Sequence, residues 1–183
     1  MLKKTENLSG ILLAICVAMA LLLGVTNEAT KNTIALRQQE TKNVAMSEVI
    51  PAKTYTLLES IPDDHELYAA FNGNNLVGYA VSLSASGYGG EINMMIGINE
   101  DRTISGISIT DMSETPGLGD NAKNPEFTDM FKNLAADEAK LTNDGGKIQA
   151  LSGATVTSKA VTGGVQRALN IVEKKLAGGM TNE

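Results

Sequence analysis

The longest apolar stretch of the chain lies close to its N-terminus. Residues 8–27 form a run of 20 residues without a charge, most of them Leu, Ile, Val, Ala or Met. At about 1.5 Å per residue, a helix of this length crosses a hydrocarbon core of about 30 Å. Lys3 and Lys4 precede the run and outnumber Glu6, so the positive-inside rule places the N-terminus in the cytoplasm and the rest of the chain outside. The pattern predicts a single-pass anchor in the cytoplasmic (inner) membrane over residues 1–27.

Two cleavable leaders are alternatives to this anchor. Ala18-Met19-Ala20 matches a signal-peptidase site, but Leu21-Leu22-Leu23 continues the apolar run beyond it. A lipoprotein site at Cys16 would need a small residue before it, and Ile15 is not small. The length of the run therefore favours an uncleaved anchor, and either alternative would still export the remainder of the chain.

The next 25 residues, 28–52, are polar and rich in helix formers, with weak apolar spacing. They predict a helical stalk that ends near Pro51 and serves as a spacer. We place the folded domain at 53–179 and a short tail at 180–183.

Alternating apolar and polar positions predict two hairpins in the domain. Residues 67–71 and 76–83 flank a short Gly-containing loop, and residues 91–98 and 103–110 flank Asn99-Glu100-Asp101-Arg102. Successive hairpins indicate an antiparallel sheet with one buried face. Met94, Met95 and Ile96 are expected to lie in or beside that core.

The C-terminal third predicts several short elements followed by one long helix. Residues 125–134 predict a short helix, 143–146 a turn, and 147–151 a last strand. A helix from Thr157 to about Ala177 carries an apolar stripe at helical spacing and ends at Gly178-Gly179. The stripe consists of Val161, Val165, Ala168, Leu169, Val172 and Leu176. The predicted fold class is α+β, with helices packed on a mainly antiparallel sheet.

Composition narrows the range of functions. The net charge is −6, with 21 acidic and 15 basic residues, which argues against nucleic acid as a partner. Cys16 is the only cysteine and His65 the only histidine, so thiolate clusters and His-rich metal sites are not expected. His65 lies in Asp63-Asp64-His65-Glu66, which predicts a solvated surface.

Two glycine-rich segments are candidate ligand loops. Residues 87–90 read Gly-Tyr-Gly-Gly, which is typical of a tight bend or of a place where another group approaches the backbone. Residues 114–119 read Glu-Thr-Pro-Gly-Leu-Gly, and Pro116-Gly117 predicts a type II turn with Gly117 at positive φ. Gly119 adds an unhindered amide, so this loop could wrap a ligand, although neither a Walker nor a dinucleotide spacing is met.

Ser152-Gly153-Ala154-Thr155 delivers a threonine to the start of the last helix. On this stretch alone, the simplest interpretation is an ordinary helix start in which Thr157 or Ser158 is the cap. A helix N-terminus also offers unpaired N–H groups and a partial positive charge, which suit a phosphate. A hydroxyl beside such a site could attach a phosphorylated group covalently.

These features occur in a fixed order: an anchor, Gly87-Tyr88-Gly89-Gly90, Glu114–Gly119, and Ser152–Thr155 before a helix. In that order they resemble the RnfG family, the G subunits of Rnf-type ion-translocating ferredoxin:NAD oxidoreductase complexes, over residues 5–177. The related C subunit of the sodium-translocating NADH:quinone oxidoreductase carries the same motifs on a longer chain and is the alternative. Relatives often have a His before the Glu114 motif, whereas this chain has Asp111-Met112-Ser113.

The resemblance implies an electron carrier with FMN esterified through its phosphate to Thr155. A separate flavin transferase would supply the group from FAD with magnesium, and the partners would be the other membrane and peripheral subunits of the complex. No catalytic acid, base or nucleophile pair is visible. The residues expected around the flavin are Ser152, Gly153, Ala154, Thr157, Glu114, Thr115, Pro116, Gly117, Leu118, Gly119, Tyr88, Gly89 and Gly90. A non-redox anchored ligand-binding or assembly module is the rival, and a hydrolase that uses Thr155 is the weakest alternative because no base accompanies the hydroxyl.

Overall fold

The structure, a computed structural model, describes residues 2–178. It divides the chain into two compact units, residues 1–41 and 42–183. The first helix, α1, is assigned from Leu2 to Val49, so the division between the units falls within it. Gly179 and the tail expected at 180–183 lie outside the described residues.

The first unit contains the apolar segment. Gly10–Lys31 is 22 residues long and contains a stretch of 18 residues with a mean hydropathy of 2.3, none of it buried within the structure. The segment is long and apolar enough to cross a membrane. The hydroxyls of Thr26 and Thr30 donate to the carbonyls of Leu22 and Thr26, one turn earlier, so neither hydroxyl is left unpaired on this apolar helix. The predicted span at 8–27 largely coincides with this segment.

The second unit is built on a five-stranded antiparallel sheet in the order β1-β2-β3-β4-β5. The strands are β1 (Thr54–Ile61), β2 (His65–Asn72), β3 (Asn75–Ser86), β4 (Glu91–Asn99) and β5 (Ile104–Met112). Both predicted hairpins are confirmed. The β2–β3 loop is tighter than expected, because Gly73 at φ 68° allows the chain to reverse over two residues.

Strand β1 is not predicted by the sequence pattern. It lies at the edge of the sheet and pairs only with β2 among the strands. Most of its residues are exposed, Leu57 by 52% and Leu58 by 39%, so its apolar positions do not alternate cleanly with polar ones. An edge strand with this pattern carries little of the period-2 signal on which strand prediction depends.

The helices after the sheet are short until the last one. They are a 3₁₀ turn at Gly119–Lys123, α2 (Pro125–Thr128), 3₁₀ turns at Asp129–Phe131 and Thr142–Asp144, and α3 (Thr155–Gly178).

The helix predicted over 125–134 is too long. It breaks because Asn133 adopts φ 61° and the backbone of Asn133 and Leu134 pairs with Ile104 at the edge of β5.

The last strand predicted at 147–151 is also wrong. Only a single bridge joins Leu141 and Ile148, because this segment pairs with its own neighbours, including the bond from the Ile148 amide to the Lys140 carbonyl.

Helix α3 packs its predicted stripe on one face of the sheet. Val161, Val165 and Ala168 are fully buried, and they form one cluster with the inward residues of the strands, including Met94 and Ile96. Full burial of a Val, Ile or Met side chain contributes about 1.5–3 kcal/mol. The expected core role of Met94 is confirmed.

The other face of the sheet is covered as well, which corrects the expectation of one buried face. Ala45, Met46, Val49 and Ile50 at the end of α1 pack on three central positions of the sheet: Ala70, Ala80 and Met95. A side chain at Gly97 would overlap the Val49 carbonyl, so the helix end rests directly on the backbone of β4. The last turns of the predicted stalk therefore belong to the core of the second unit.

His65 is buried rather than solvated, which corrects its predicted surface position. Its Nδ1 lies 2.6 Å from Asp64 Oδ2, and Asp64 also pairs with Arg167 of α3. Its Nε2 lies 3.5 Å from Glu59 Oε1, and Lys175 of α3 donates to the other oxygen of Glu59 at 2.9 Å. The ion pairs of Asp64 with Arg167 and of Glu59 with Lys175 thus join the β1–β2 hairpin to α3.

Candidate functional site

The Ser-Gly-Ala-Thr segment forms a turn that leads directly into α3. The Ala154 amide donates to the Leu151 carbonyl at 3.1 Å, and Gly153 takes φ 73°, which favours glycine. Helix α3 begins at Thr155, two residues earlier than predicted. Thr155 is therefore the first helical residue and is exposed.

Neither Thr157 nor Ser158 caps the helix, because both lie inside its first turn. The Thr157 hydroxyl donates to Glu114 Oε2 at 2.8 Å. The Ser158 hydroxyl donates to the Ala154 carbonyl at 3.0 Å and accepts a bond from the Leu151 amide at 2.9 Å. The two hydroxyls predicted as caps instead connect the helix to the segments around it.

The start of α3 retains free donors. Within the described residues, the amides of Thr155, Val156 and Thr157 have no backbone acceptor, as expected for the first turn of a helix. The Thr155 hydroxyl also makes no hydrogen bond to the described part of the chain. An exposed hydroxyl therefore lies beside the positive end of a 24-residue helix.

The Pro-Gly turn has the predicted form. The Leu118 amide donates to the Thr115 carbonyl at 3.1 Å, and Gly117 takes φ 75°, as the second central residue of a type II turn requires. The turn brings Leu118 to Gly153, where an added Cβ would lie 3.0 Å from Leu118 Cδ2. The second and third motifs are thus in contact.

One carboxylate, that of Glu114, connects the Gly87–Gly90 loop to the first turn of α3, which follows the third motif. Glu114 Oε1 accepts bonds from the backbone amides of Tyr88 at 2.8 Å and Gly89 at 3.1 Å. Glu114 Oε2 accepts the bond from Thr157, which is 1% exposed. Two amides that the sequence offers to a ligand are therefore engaged by a side chain of the protein.

Close contacts explain why three positions around Glu114 are glycine. A Cβ at Gly87 would overlap Glu114 Oε1, and a Cβ at Gly119 would lie 2.6 Å from Oε2 and 2.7 Å from the Thr157 hydroxyl. A Cβ at Gly89 would overlap the Ser113 carbonyl. These glycines let the two loops close on the carboxylate.

The three motifs together line an open cleft of about 580 Å³. Its walls are Tyr88, Glu114, Thr115, Leu118, Gly119, Gly153, Ala154, Thr155, Val156 and Thr157. Nine of these ten residues are among the fourteen that the sequence nominates. The other five nominated residues, Gly89, Gly90, Pro116, Gly117 and Ser152, lie in the adjoining turns and do not line the cleft.

Val156 lines the cleft but is absent from the sequence-based set. It is 52% exposed, although its residue type predicts burial. Its position between Thr155 and Thr157 in the first helical turn is the only signal that could have found it.

The cleft is apolar at its rim and carries one acidic side chain. Tyr88 is 74% exposed, Val156 52% and Leu118 43%. Glu114 is the only charged residue among the ten that line the cleft, and none of the ten is basic. Among the groups that line the cleft, only the backbone N–H groups at the N-terminus of α3 offer a partial positive charge to an anion.

Acidic, His and Cys side chains of the described residues form no group of three that could hold a metal ion.

Comparison with known proteins places this cleft in a family. Residues 87–170, which contain all three motifs, match the FMN-binding domain family. The G subunit of the ion-translocating oxidoreductase complex from Methanosarcina acetivorans is 34% identical over 170 residues, which cover 88% of this chain and 90% of that protein. The G subunit of the Na⁺-translocating ferredoxin:NAD⁺ oxidoreductase complex from Acetobacterium woodii is 35% identical over 193 residues, with 93% of each chain covered.

A solved structure has the same fold. The C subunit of the Na⁺-translocating NADH-quinone reductase from Parabacteroides distasonis, known from a crystal structure, superposes with a TM-score of 0.52 at 22% identity, over 71% of this chain and 79% of that chain. The predicted α+β class, with an N-terminal apolar helix and an antiparallel sheet packed with helices, is confirmed. By the extent of its similarity to these G subunits, this chain belongs to the RnfG family, the G subunits of ion-translocating oxidoreductase complexes.

Proposed function

We propose that this chain is the membrane-anchored electron-carrier subunit of an Rnf-type ferredoxin:NAD oxidoreductase coupled to ion translocation, and that it carries FMN as a phosphoester on Thr155. The observation that supports the attachment site is the exposed Thr155 hydroxyl at the first position of α3, on the wall of the cleft. Its partners would be the other membrane and peripheral subunits of that complex.

The cleft suits a covalently held flavin phosphate. Its volume of about 580 Å³ lies in the range of about 300–1,000 Å³ typical of cofactor sites. None of the residues that line it is basic, so ionic contacts with side chains of the cleft would contribute nothing to retention of a free phosphate. A bond to Thr155 keeps the group in place without such contacts, and the free amides of the first helical turn stabilise the charge that remains.

The attachment needs a separate enzyme. The Thr155 oxygen would form a bond to the FMN phosphorus of FAD, the pyrophosphate bond of FAD would break, AMP would leave, and the hydroxyl proton would pass to the transferase or to solvent. None of the residues that line the cleft forms a nucleophile–base pair with Thr155, which agrees with a chain that is modified rather than one that modifies itself.

When bound, FMN supplies one- and two-electron redox chemistry. The residues of the chain hold and surround it. Thr155 provides the point of attachment, Gly119 and Gly153 keep the floor of the cleft free of side chains, and Leu118 and Val156 offer apolar surface.

We further propose that Gly10–Lys31 crosses the cytoplasmic membrane with the N-terminus inside and the second unit outside. Lys3 and Lys4 before the apolar segment support this orientation. A carrier exposed on the outer side would lose a freely dissociating cofactor to the surroundings, which is a further reason for a covalent bond.

The test is co-expression of the full chain with a flavin transferase, followed by denaturing electrophoresis and an intact-mass spectrum. We expect a fluorescent band and an intact mass raised by one FMN less water, and the masses of proteolytic peptides should assign the adduct to the peptide that contains residues 151–161. Thr155→Ala should abolish both signals, whereas Thr155→Ser should retain them because the hydroxyl remains.

Thr142→Ala is the control, because it removes an exposed hydroxyl of a residue that neither belongs to the three motifs nor lines the cleft. Flavin that survives denaturation in Thr155→Ala would refute the attachment site. A wild-type chain that stays colourless with an active transferase present would favour the non-redox binding or assembly module.

A further inference from the structure

Glu114 joins three segments that lie far apart in the chain. Its two oxygens accept hydrogen bonds from Tyr88 and Gly89, which are 26 and 25 residues earlier, and from Thr157, 43 residues later. All three bonds have a carboxylate as acceptor, and such charge-assisted bonds are stronger than neutral ones. Within the described residues, no other side chain bonds both to the Gly87–Gly90 loop and to the first turn of α3.

The bond to Thr157 connects the first turn of α3 to the Glu114–Gly119 loop. Thr157 lies two residues after Thr155 in the same helical turn, and it is 1% exposed, so its hydroxyl has little freedom to find another acceptor. Gly119 packs against both partners of this bond. The bond therefore fixes the first turn of α3 against the Glu114–Gly119 loop, and with it the position of the Thr155 hydroxyl on the wall of the cleft.

We propose that Glu114 is the positioning residue for modification of Thr155, acting through Thr157 and the 88–89 amides; this inference rests on the proposed function. Glu114 makes no hydrogen bond to Thr155 and is not a base for it. Its role is to hold the Thr155 hydroxyl and the 87–90 and 114–119 loops in the positions that the transferase and the incoming phosphoryl group require. Misplacement of a reacting group by about 1 Å can reduce a rate by about 10²-fold.

The test measures the initial rate of flavin incorporation into the full chain in detergent micelles, with purified transferase, FAD and Mg²⁺. Thr157→Val removes the hydroxyl with little change of shape and should lower the maximal rate about tenfold or more, with little change in the KM for FAD. Thr157→Ser keeps the hydroxyl and should restore most of the rate. Thr162→Val is the matched control, because Thr162 is buried in the same helix and bonds only to carbonyls of that helix.

Glu114 is tested with two variants. Glu114→Gln keeps an acceptor for the 88–89 amides and can donate to the Thr157 oxygen, so it should retain most of the rate. Glu114→Ala removes all three bonds and should be at least as slow as Thr157→Val, and the double variant should be no slower than Glu114→Ala alone. Glu91→Gln, at an exposed position just after the glycine-rich loop, should match the wild-type rate.

A measurement on the chain without flavin tests the hydrogen bonds of Glu114 independently of the proposed attachment of flavin to Thr155. Amide hydrogen exchange on the unmodified full chain should show protection of Tyr88 and Gly89 in the wild type and in Glu114→Gln, and loss of protection in Glu114→Ala.

A wild-type chain that accepts no flavin would refute the proposed function and, with it, any role of Glu114 in modification. A wild type that is modified, with Thr157→Val or Glu114→Ala modified equally fast, would refute the positioning role alone. Equal slowing in Glu114→Gln and Glu114→Ala would also overturn it, because charge rather than position would then be the cause.

Discussion

Gly119 is the residue whose size is most tightly limited at the site. A Cβ there would lie 2.6 Å from Glu114 Oε2 and 2.7 Å from Thr157 Oγ1, the two ends of one hydrogen bond. Neither neighbour can move without losing that bond. The absence of a side chain at Gly119 thus leaves space for the Glu114 carboxylate. The pattern of glycines in the sequence does not by itself show that a side chain of the protein fills this space.

Gly119→Ala is expected to lower the free energy of unfolding by about 1–3 kcal/mol, because the added methyl group overpacks the site. The control is Gly163→Ala on the exposed side of α3, where an added Cβ meets nothing within 4 Å. That change should raise stability by about 0.5–1 kcal/mol, because alanine favours the helix interior. Urea denaturation measures both changes, and a Gly119→Ala chain that is as stable as the wild type, or more stable, would contradict the packing at Gly119.

Among the elements, α1 has two different roles along its length. Gly10–Lys31 is exposed and apolar, whereas Ala45, Met46, Val49 and Ile50 are buried on the sheet. The sequence pattern clearly indicates the membrane-crossing segment. It hardly indicates the packing of the helix end on the sheet, because the apolar residues there are few and widely spaced among polar ones. The structure of the sheet explains the second role. The small residues Ala70, Ala80 and Gly97 leave room for the end of α1 on the face of the sheet opposite α3.

Truncation tests this division. A chain that begins at Lys42 keeps Met46, Val49 and Ile50 and should fold without the apolar segment. A chain that begins at Lys53, the predicted domain start, loses these side chains and should be less stable by roughly 4 kcal/mol or more, at about 1.5–3 kcal/mol for each. Far-ultraviolet circular dichroism during urea unfolding gives the comparison. Equal midpoints for the two chains would show that the helix end is dispensable.

Across the whole second unit, ion pairs connect the edge hairpin to α3. The hydrogen bond with His65 and the nearby Arg167 hold the pKa of Asp64 below its ordinary value of 3.8. The hydrogen bond from Lys175 lowers the pKa of Glu59 from 4.5. Both groups contribute stability that is present above the ordinary pKa values and is lost as the pH falls through the lowered ones.

The free energy of unfolding is therefore expected to fall as the pH decreases below about 4.5. Asp64→Asn should make this decrease shallower, because the substituted group no longer takes up a proton on unfolding. Asp111→Asn, at an exposed position on β5, should leave the slope unchanged. Urea unfolding at a series of pH values measures the slopes. Identical slopes for the wild type and Asp64→Asn would contradict a contribution from this network.

Several properties of the protein follow from local sequence alone. The apolar run, the two hairpins, the stripe of α3 and the Pro-Gly turn each depend on residues near one another in the chain, where periodicity, charge and turn chemistry act directly. The order of the three motifs likewise indicates the family before any coordinate is known. Nine of the residues that line the cleft are nominated in this way.

Other properties depend on contacts between distant residues, and only the tertiary structure decides them. Glu114 meets Thr157 across 43 positions, His65 is buried by ion pairs that reach α3, and the end of α1 finds its place on a sheet formed later in the chain. No local pattern encodes these pairings, because the free energy that selects them arises from packing and charge compensation in the folded state. The sequence places a threonine before a helix, and the fold determines what surrounds its hydroxyl.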